Sequence, residues 1–197
     1  LSATVSKVAD RWFVSIAVES GPIHSKPAKN HGKVGVDLGV NTLATLWRDD
    51  GTHEKIPGPR PMKRFLVQLR KLSKTVARRV PGSNGREKAR LKLAKLYARM
   101  ANIRQDTTHK LTTMLSCNYS TVVIEDLNVR GMLERGKRGL ARSIADMGFF
   151  EFRRQLEYKM KARGGQVIVA DRYFKKKKKC SHCDWVFKQL KQGQQKW

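Results

Sequence analysis

The alternation of apolar and polar positions predicts an α/β chain that begins with short strands. Residues 3–8 and 12–18 alternate, are rich in β-branched side chains and flank a turn at 9–11, which is typical of a β-hairpin. A hairpin alone is marginally stable, so we expect it to belong to a sheet whose other strands lie outside this chain. Residues 21–32, which contain two prolines, are interpreted as a linker.

Three more strands are predicted directly after the linker. Residues 33–38 and 42–47 are apolar runs, and residues 49–51 (Asp-Asp-Gly) are a turn signal before a third short strand at about 52–57. Because the connections are short, these strands are predicted to form an antiparallel meander.

Helical periodicity then replaces the alternation. Apolar side chains at helical spacing predict a first helix over 62–76, and Pro and Gly at 81–85 separate it from a second helix over about 86–116. Consecutive helices joined by a short turn are expected to pack as an αα-hairpin.

The last third of the chain alternates strands and helices again. The apolar run 121–125 follows a helical crossover, so this strand is predicted to be parallel to an earlier one. Its near-continuous apolar character predicts burial on both faces. Residues 131–139 are interpreted as a flexible basic loop, followed by a helix over about 141–163 and a final strand over 166–171.

The charge of the chain predicts a polyanionic partner. Lys and Arg number 42 against 16 Asp and Glu, a formal net charge of +26, and residues 60–110 alone carry 16 Lys and Arg against Glu87 and Asp106. A charged helix face is most often simply exposed to solvent. In that case acidic residues that pair with the cations are expected nearby, and here only two acids are present. We therefore predict a surface that binds nucleic-acid phosphates. The candidate residues are Lys63, Arg64, Arg70, Lys71, Lys74, Arg78, Arg79, Arg86, Lys92 and Arg99.

Composition argues against a membrane protein and against a disulfide framework. No apolar run approaches the ~20 residues needed to span a bilayer, and no signal-peptide pattern opens the sequence. Three cysteines indicate a reducing compartment and a possible metal site rather than disulfides. We expect a prokaryotic cytoplasmic protein associated with the nucleoid.

One carboxylate interrupts the apolar run that starts at residue 33. Asp37 lies between Gly35 and Gly39, which leave the backbone open to a ligand. A buried acid is costly unless it binds a metal or takes part in chemistry, although a strand that simply ends in a turn is an equally plain interpretation. Glu125 ends the later strand in the same way.

The predicted element order favours an RNase H-like mixed sheet with an inserted basic helical hairpin. In that fold the strands that carry Asp37 and Glu125 are neighbours, so the two carboxylates would converge. Mg²⁺ takes oxygen ligands, and two such ions about 3.5–4 Å apart promote phosphodiester cleavage. The sequence therefore indicates a nuclease-like site.

Four segments carry a resemblance to a known family. They are Gly35-Val-Asp-Leu-Gly-Val-Asn-Thr-Leu-Ala, Val122-Val-Ile-Glu-Asp-Leu-Asn-Val, residues 146–158, and Val169-Ala-Asp-Arg-Tyr-Phe before a Cys-x-x-Cys. In this order they resemble the TnpB family of OrfB-type transposon-associated proteins, which are similar to the nuclease lobe of type V CRISPR effectors.

The resemblance implies an RNA-guided, Mg²⁺-dependent DNA endonuclease whose partners are a guide RNA and target DNA. It implies that Asp37 and Glu125 are the first and second RuvC carboxylates. It also implies a domain plan: residues 1–20 as the end of a wedge-type β domain that holds the guide scaffold, 33–174 as the RuvC-like domain with its helical hairpin at 60–116, and 175–197 as a partial zinc ribbon.

The zinc ribbon implied by the family is incomplete. Cys180 and Cys183 match its first knuckle, but a tetrahedral zinc site needs four ligands and the second Cys-x-x-Cys is missing. His182 lies inside the knuckle, and Cys117 falls on a predicted helix, where it is interpreted as a core residue. Free thiols or partial Zn²⁺ binding are expected.

The third carboxylate of the family would follow the zinc ribbon. Asp171 ends the last predicted strand and is either a substitute ligand or a capping group, while residues 175–179 are five lysines where the family usually has a turn. The N-terminal half is absent as well. We therefore expect a fragment, a split half that meets the missing half or a second copy, or a decayed copy.

Two other functions stay open at this point. The first is a nuclease-dead protein that binds nucleic acid through its basic helices. The second is an actin-like ATPase, because Asp-Leu-Gly after a strand also resembles the first phosphate motif of that fold; such proteins need a second Gly-rich loop and usually lack this basic charge.

Overall fold

The computed structural model describes residues 1–19, 32–135 and 138–171 of the chain. The strands are β1 (Ser2–Val8), β2 (Arg11–Ala17), β3 (Lys33–Leu38), β4 (Ala44–Arg48), β5 (His53–Ile56), β6 (Thr121–Glu125) and β7 (Gln166–Ala170). The helices are α1 (Pro61–Arg78), α2 (Asn84–Asn118), α3 (Val129–Arg135), α4 (Arg138–Met147) and α5 (Phe149–Ala162). Most of the predicted linker and the whole ribbon segment 175–197 lie outside the described residues.

Two sheets are present in the described part of the chain. β1 and β2 pair antiparallel as a separate hairpin, as the alternation predicted. The larger sheet has the order β5-β4-β3-β6-β7. β4 runs antiparallel to both of its neighbours, whereas β3, β6 and β7 are parallel because helices connect them. The result is a mixed α/β fold with a mixed sheet.

Among the described residues, helices cover only one face of this sheet. On β3, Val34, Val36 and Leu38 are buried and the alternate positions are not. On β6, Val122 and Ile124 are buried. The buried positions join a core with side chains from α2, α4 and α5, chiefly Leu111, Leu115, Ile144, Met147, Phe152, Leu156 and Met160.

The prediction that residues 121–125 are buried on both faces is therefore wrong. β6 alternates between buried and half-buried positions, and Val123 lies on the open face with Gly35 of β3 beside it. Consecutive apolar residues fit a one-sided strand as well as a two-sided one, so the pattern alone could not separate the two. The uncovered side of the large sheet is called the open face below.

The two long helices match the predicted αα-hairpin. α2 begins after Ser83, whose hydroxyl accepts a hydrogen bond from the Arg86 amide at 3.2 Å, a normal N-cap. α1 differs, because its N-cap is Arg60, which lies in the left-handed region (φ 39°) and caps nothing with its own side chain in the described structure. The cap comes instead from a buried acid on α4.

Asp146 supplies that cap. Its carboxylate accepts hydrogen bonds from the Met62 amide at 3.0 Å and the Lys63 amide at 3.3 Å, and Arg104 of α2 lies 3.6 Å away. The carboxylate is almost fully buried. One side chain therefore fastens α1, α2 and α4 to one another.

Two predictions for this part of the chain are wrong, the flexible loop over 131–139 and the single helix over 141–163. The structure has α3 over part of that loop, and the following helical stretch is divided into α4 and α5 at Gly148. Gly148 has a φ of 67°, which interrupts an α-helix and which glycine adopts at little cost. The break lets α4 meet α1 while α5 packs beneath the sheet against α2.

None of the described helices is both long enough and apolar enough to cross a membrane.

Candidate active site and nucleic-acid interface

The register of the sheet places the two predicted carboxylates side by side. β3 and β6 are parallel, and Val36 and Ile124 form the last pair of their ladder, so Asp37 and Glu125 come next on the two strands. Neighbouring strands lie about 4.8 Å apart. Both side chains belong to the open face, because the residues before them, Val36 and Ile124, point into the core. Asp37 is exposed and Glu125 is half-buried.

The turn that follows Asp37 is fastened to the helical hairpin. The Arg60 guanidinium donates hydrogen bonds to the carbonyl oxygens of Val40, at 3.2 Å, and of Asn41. The Gly39 amide donates to the Leu43 carbonyl at 3.2 Å and closes the turn. The strand end that carries Asp37 is thus linked directly to the start of α1.

The segment after Glu125 is fastened to α5. Arg153 donates to the Asp126 carboxylate at 3.3 Å and to Glu157 at 2.8 Å. The hydrogen bond to Glu157 is the main reason that the pKa of Arg153 is raised above its usual value. These contacts engage Asp126 on the helix side of the sheet and leave Glu125 on the open face.

A third acidic ligand is not found beside this pair within residues 1–19, 32–135 and 138–171. No group of three or more His, Cys, Asp or Glu side chains in that part of the chain is arranged to hold a metal ion. Asp171 follows Ala170, the residue opposite Glu125, and is exposed. By strand alternation it faces the other side of the sheet, which argues against a substitute ligand.

The predicted basic residues of α1 form one continuous stripe. Lys63, Arg70, Lys71, Lys74 and Arg78 fall within about 100° of the helix circumference, because successive residues turn by about 100°. The stripe is about 22 Å long at 1.5 Å per residue, and all five side chains are exposed. Within the described structure none of them forms an ion pair. Arg64 borders the stripe and lies over the Phe65 ring.

The predicted residues of α2 and of the interhelical turn divide into two groups. Lys92 and Arg99 are seven residues apart on the same side of α2 and line a groove of about 300 Å³ between α1 and α2. Arg86 lies on the other side of the helix and donates to the Arg79 carbonyl at 3.3 Å, at the turn of the hairpin. Arg79 is itself exposed.

The β1–β2 hairpin packs against α2 across a cleft. Asp10 pairs with Lys95 at 2.6 Å, and the cleft of about 920 Å³ is lined by polar and apolar residues of the hairpin and by Arg99 and Asn102 of α2. Cys180, Cys183 and His182, the predicted zinc-ribbon residues, lie outside the described residues. Cys117 is half-buried on α2.

Sequence reasoning missed Arg60 and Asp146. Arg60 was counted only in the net charge of residues 60–110, and no feature of the sequence indicates its left-handed backbone conformation. Asp146 did have one: it is an acid within the amphipathic pattern before Met147 and Gly148, and a polar residue at a core position needs a partner. What the sequence could not supply was the identity of that partner, the start of α1 more than 80 residues earlier.

Comparison with known proteins gives the family. A sequence profile of the family OrfB_IS605, described as "Probable transposase", matches residues 15–136. A second profile, "Cas12f1-like, TNB domain", matches residues 149–197.

Two relatives show the same relationship over the full chain. A Streptomyces pristinaespiralis protein named "Putative RNA-guided DNA endonuclease" is 41% identical over 197 residues, which is 100% of this chain and 47% of the relative. An Escherichia coli K12 protein, "Putative RNA-guided DNA endonuclease InsQ", is 36% identical over 214 residues, 99% of this chain and 50% of the relative. The chain thus spans about half the length of these curated relatives.

Among solved structures, the fold is similar to a chain in a Cas12f1–sgRNA–target DNA complex. The TM-score is 0.55 at 17% identity, over 83% of this chain and 34% of that one. A second structure, a CRISPR–Cas12f ternary complex, gives a TM-score of 0.52 over 92% of this chain. At this identity the likeness concerns the fold alone. The profile match over more than half of the chain, together with the two relatives, shows that this chain belongs to the OrfB_IS605 (TnpB) family of transposon-associated proteins.

Proposed function

We propose that this chain is the RuvC-like, RNase H-like lobe of an RNA-guided DNA endonuclease that depends on a divalent metal ion. The observation that carries the proposal is the placement of Asp37 and Glu125 opposite each other on adjacent parallel strands, both on the open face. The strand order β5-β4-β3-β6-β7, with three antiparallel strands before the helical crossover, supports the RNase H-like assignment. The relatives' names supply the substrate class.

The donor atoms of this pair suit a hard cation. Asp37 and Glu125 offer only carboxylate oxygens, and Mg²⁺ prefers oxygen ligands and keeps positions for water and substrate phosphate. Bound there, the ion would supply Lewis acidity and an activated water for phosphodiester hydrolysis. Zn²⁺ at Cys180 and Cys183 stays a prediction, because those residues lie outside the described structure.

The chain's own residues would do three things in this reaction. Asp37 and Glu125 would hold the metal on the open face, while Arg60 and Arg153 hold the adjacent backbone segments in place. The α1 stripe would attract the phosphate backbone, because its cations lack intramolecular acidic partners in the described structure. The β1–β2 hairpin would be the end of a guide-binding β domain, and guide RNA and target DNA would be the partners.

The test is cleavage of target DNA by the guide-loaded protein in Mg²⁺. We expect Asp37→Ala and Glu125→Ala each to abolish cleavage while leaving nucleic-acid binding intact, and EDTA to stop the wild-type reaction. Asp106→Ala is the matched control, because Asp106 is an exposed acid on α2 that pairs only with Lys110 in the described structure. Full cleavage by Asp37→Ala would overturn the assignment.

A nuclease-dead nucleic-acid-binding protein is the second candidate. The observation in its favour is that no third acid of the described residues joins Asp37 and Glu125 in a group that could hold a metal ion. Strongly salt-dependent binding with no cleavage by the guide-loaded wild-type protein would select this function over the first.

A further inference from the structure

The open face carries an aromatic pair beside the candidate carboxylates. Trp47 of β4 and His53 of β5 are stacked, with ring centroids 4.7 Å apart and an interplanar angle of 24°. Trp47 is opposite Gly35 in the β3–β4 register, and His53 is opposite Trp47 in the β4–β5 register. Trp47 is 52% exposed, a large fraction for an indole on a sheet.

The free side of the indole borders an open position. His53 stacks from the β5 side, so the other side of the ring is toward β3, where Gly35 has no side chain. A Cβ built on Gly35 would meet only the Trp47 backbone oxygen at 3.9 Å and its Cβ at 4.0 Å, so apart from the neighbours of Gly35 in the chain no other described atom lies within 4 Å of that position. The arrangement leaves a slot with an aromatic wall and a glycine floor.

This slot lies next to the carboxylate pair. Asp37 follows Gly35 by two residues on the same face of β3, a separation of about 6.6 Å along the strand. Asp37 is paired with Thr45 of β4, and Thr45 is paired with Lys55 of β5. The exposed cation of Lys55 therefore lies in the same row across the sheet as Asp37. Two neighbouring rows on one face of the sheet therefore hold an aromatic side chain, a cation and two carboxylates.

We propose that Trp47 stacks against an unpaired base of the single strand presented to Asp37 and Glu125, with Lys55 contacting a neighbouring phosphate. This inference rests on the proposed function and adds to it a residue that holds the substrate: the strand is single, because a base inside a duplex has both of its faces covered by its stacked neighbours. Stacking on aromatic side chains is sequence-tolerant and is how single strands are commonly held. The charge of +26 favours a nucleic acid over a peptide as the occupant.

The direct test is the fluorescence of Trp47. A variant in which Trp12, Trp185 and Trp197 are replaced by Phe leaves Trp47 as the only indole. We expect oligothymidylate to quench its emission on binding and to protect it from acrylamide. An indole already shielded before the oligonucleotide is added, and unchanged afterwards, would mean that a protein segment covers the slot, and would overturn the proposal.

Affinity variants provide a second measurement. Trp47→Ala should weaken oligothymidylate binding roughly tenfold, within the range of base stacking on an aromatic side chain, and Trp47→Phe should restore most of it. Phe150→Ala is the matched control, because Phe150 is a 74% exposed aromatic on α5, away from the open face. Equal affinities for Trp47→Ala and the control would refute the stacking role.

The two proposals fail in different ways. If Asp37→Ala still cleaves, the nuclease assignment is wrong whatever Trp47 does. If Asp37→Ala abolishes cleavage while Trp47 is neither quenched nor needed for affinity, the nuclease assignment stands and only the stacking slot is wrong.

Discussion

Replacing Asp146 by alanine removes the carboxylate that joins the basic helical hairpin to the rest of the fold. Asp146 accepts from two amides at the start of α1, Met62 and Lys63, and lies 3.6 Å from Arg104 of α2. Helix α1 has no cap of its own, because Arg60 occupies the N-cap position in a left-handed conformation. The substitution therefore leaves the first turn of α1 without a carboxylate acceptor.

The expected loss is large because the carboxylate is 3% exposed. Loss of an N-cap costs about 0.5–2 kcal/mol. Leaving the partner of a buried ion pair uncompensated costs about 3–5 kcal/mol when that partner is fully buried. The Arg104 side chain is 28% exposed, so water will solvate its charge and reduce the cost of losing its partner. We expect Asp146→Ala to lower the free energy of unfolding by about 3 kcal/mol, and Asp146→Asn, which keeps one acceptor oxygen, by about half as much.

Urea unfolding followed by circular dichroism measures the total loss, and amide hydrogen exchange locates it. The amides of Met62 and Lys63 should lose protection before those of β3 and β6. Asp106→Ala is the control, because Asp106 and Lys110 form an exposed i,i+4 pair, for which about 0.5 kcal/mol is typical. A stability of Asp146→Ala within 0.5 kcal/mol of this control would refute the capping role.

Two further predictions concern charge. The pKa of Glu151 is lowered from its usual 4.5 to about 2, mainly by the hydrogen bond from Arg154, so its contribution to stability is present above about pH 4.5 and is lost as the pH falls toward 2. The stability difference between wild type and Glu151→Gln, measured by denaturant unfolding, should shrink over that range; a constant difference would contradict it. Replacing Lys71 and Lys74 by Ala should reduce the slope of log K against log salt by about 0.9 per lost phosphate contact, whereas Lys110→Ala, which removes a cation paired with an acid, should change it less.

The element types near the carboxylates followed from the sequence because local patterns determined them. The apolar run at residues 33–38 and the helical crossover before 121–125 predicted two parallel strands, and the RNase H-like element order predicted that these strands, with Asp37 and Glu125, are neighbours. The errors arose where one local pattern fits two structures. Val123 is apolar yet lies on the open face, and Gly148 divides a stretch whose periodicity continues on both sides.

The contacts that hold the site together connect residues far apart in the chain, and no local pattern encodes them. Arg60 reaches back 20 residues to the Val40 carbonyl, and Asp146 reaches 84 residues to the Met62 amide. Neither contact was predicted, since each depends on a partner that only the folded chain brings close. Trp47 is similar: its position beside Gly35 follows from strand register rather than from its own neighbours in sequence.

The one-sided core determines which way the candidate carboxylates face. Burial of Val34 and Val36 on β3, and of Val122 and Ile124 on β6, fixes the alternate residues on the open face. A slip of one residue in either strand would turn its acid into the core, where an unpaired carboxylate is costly, and would expose apolar side chains in its place. The same hydrophobic contacts that stabilise the sheet therefore select the register in which Asp37 and Glu125 meet. The register of the sheet should therefore tolerate changes on the open face far better than changes in volume at Val36 or Ile124, because those two side chains make the core contacts that fix it.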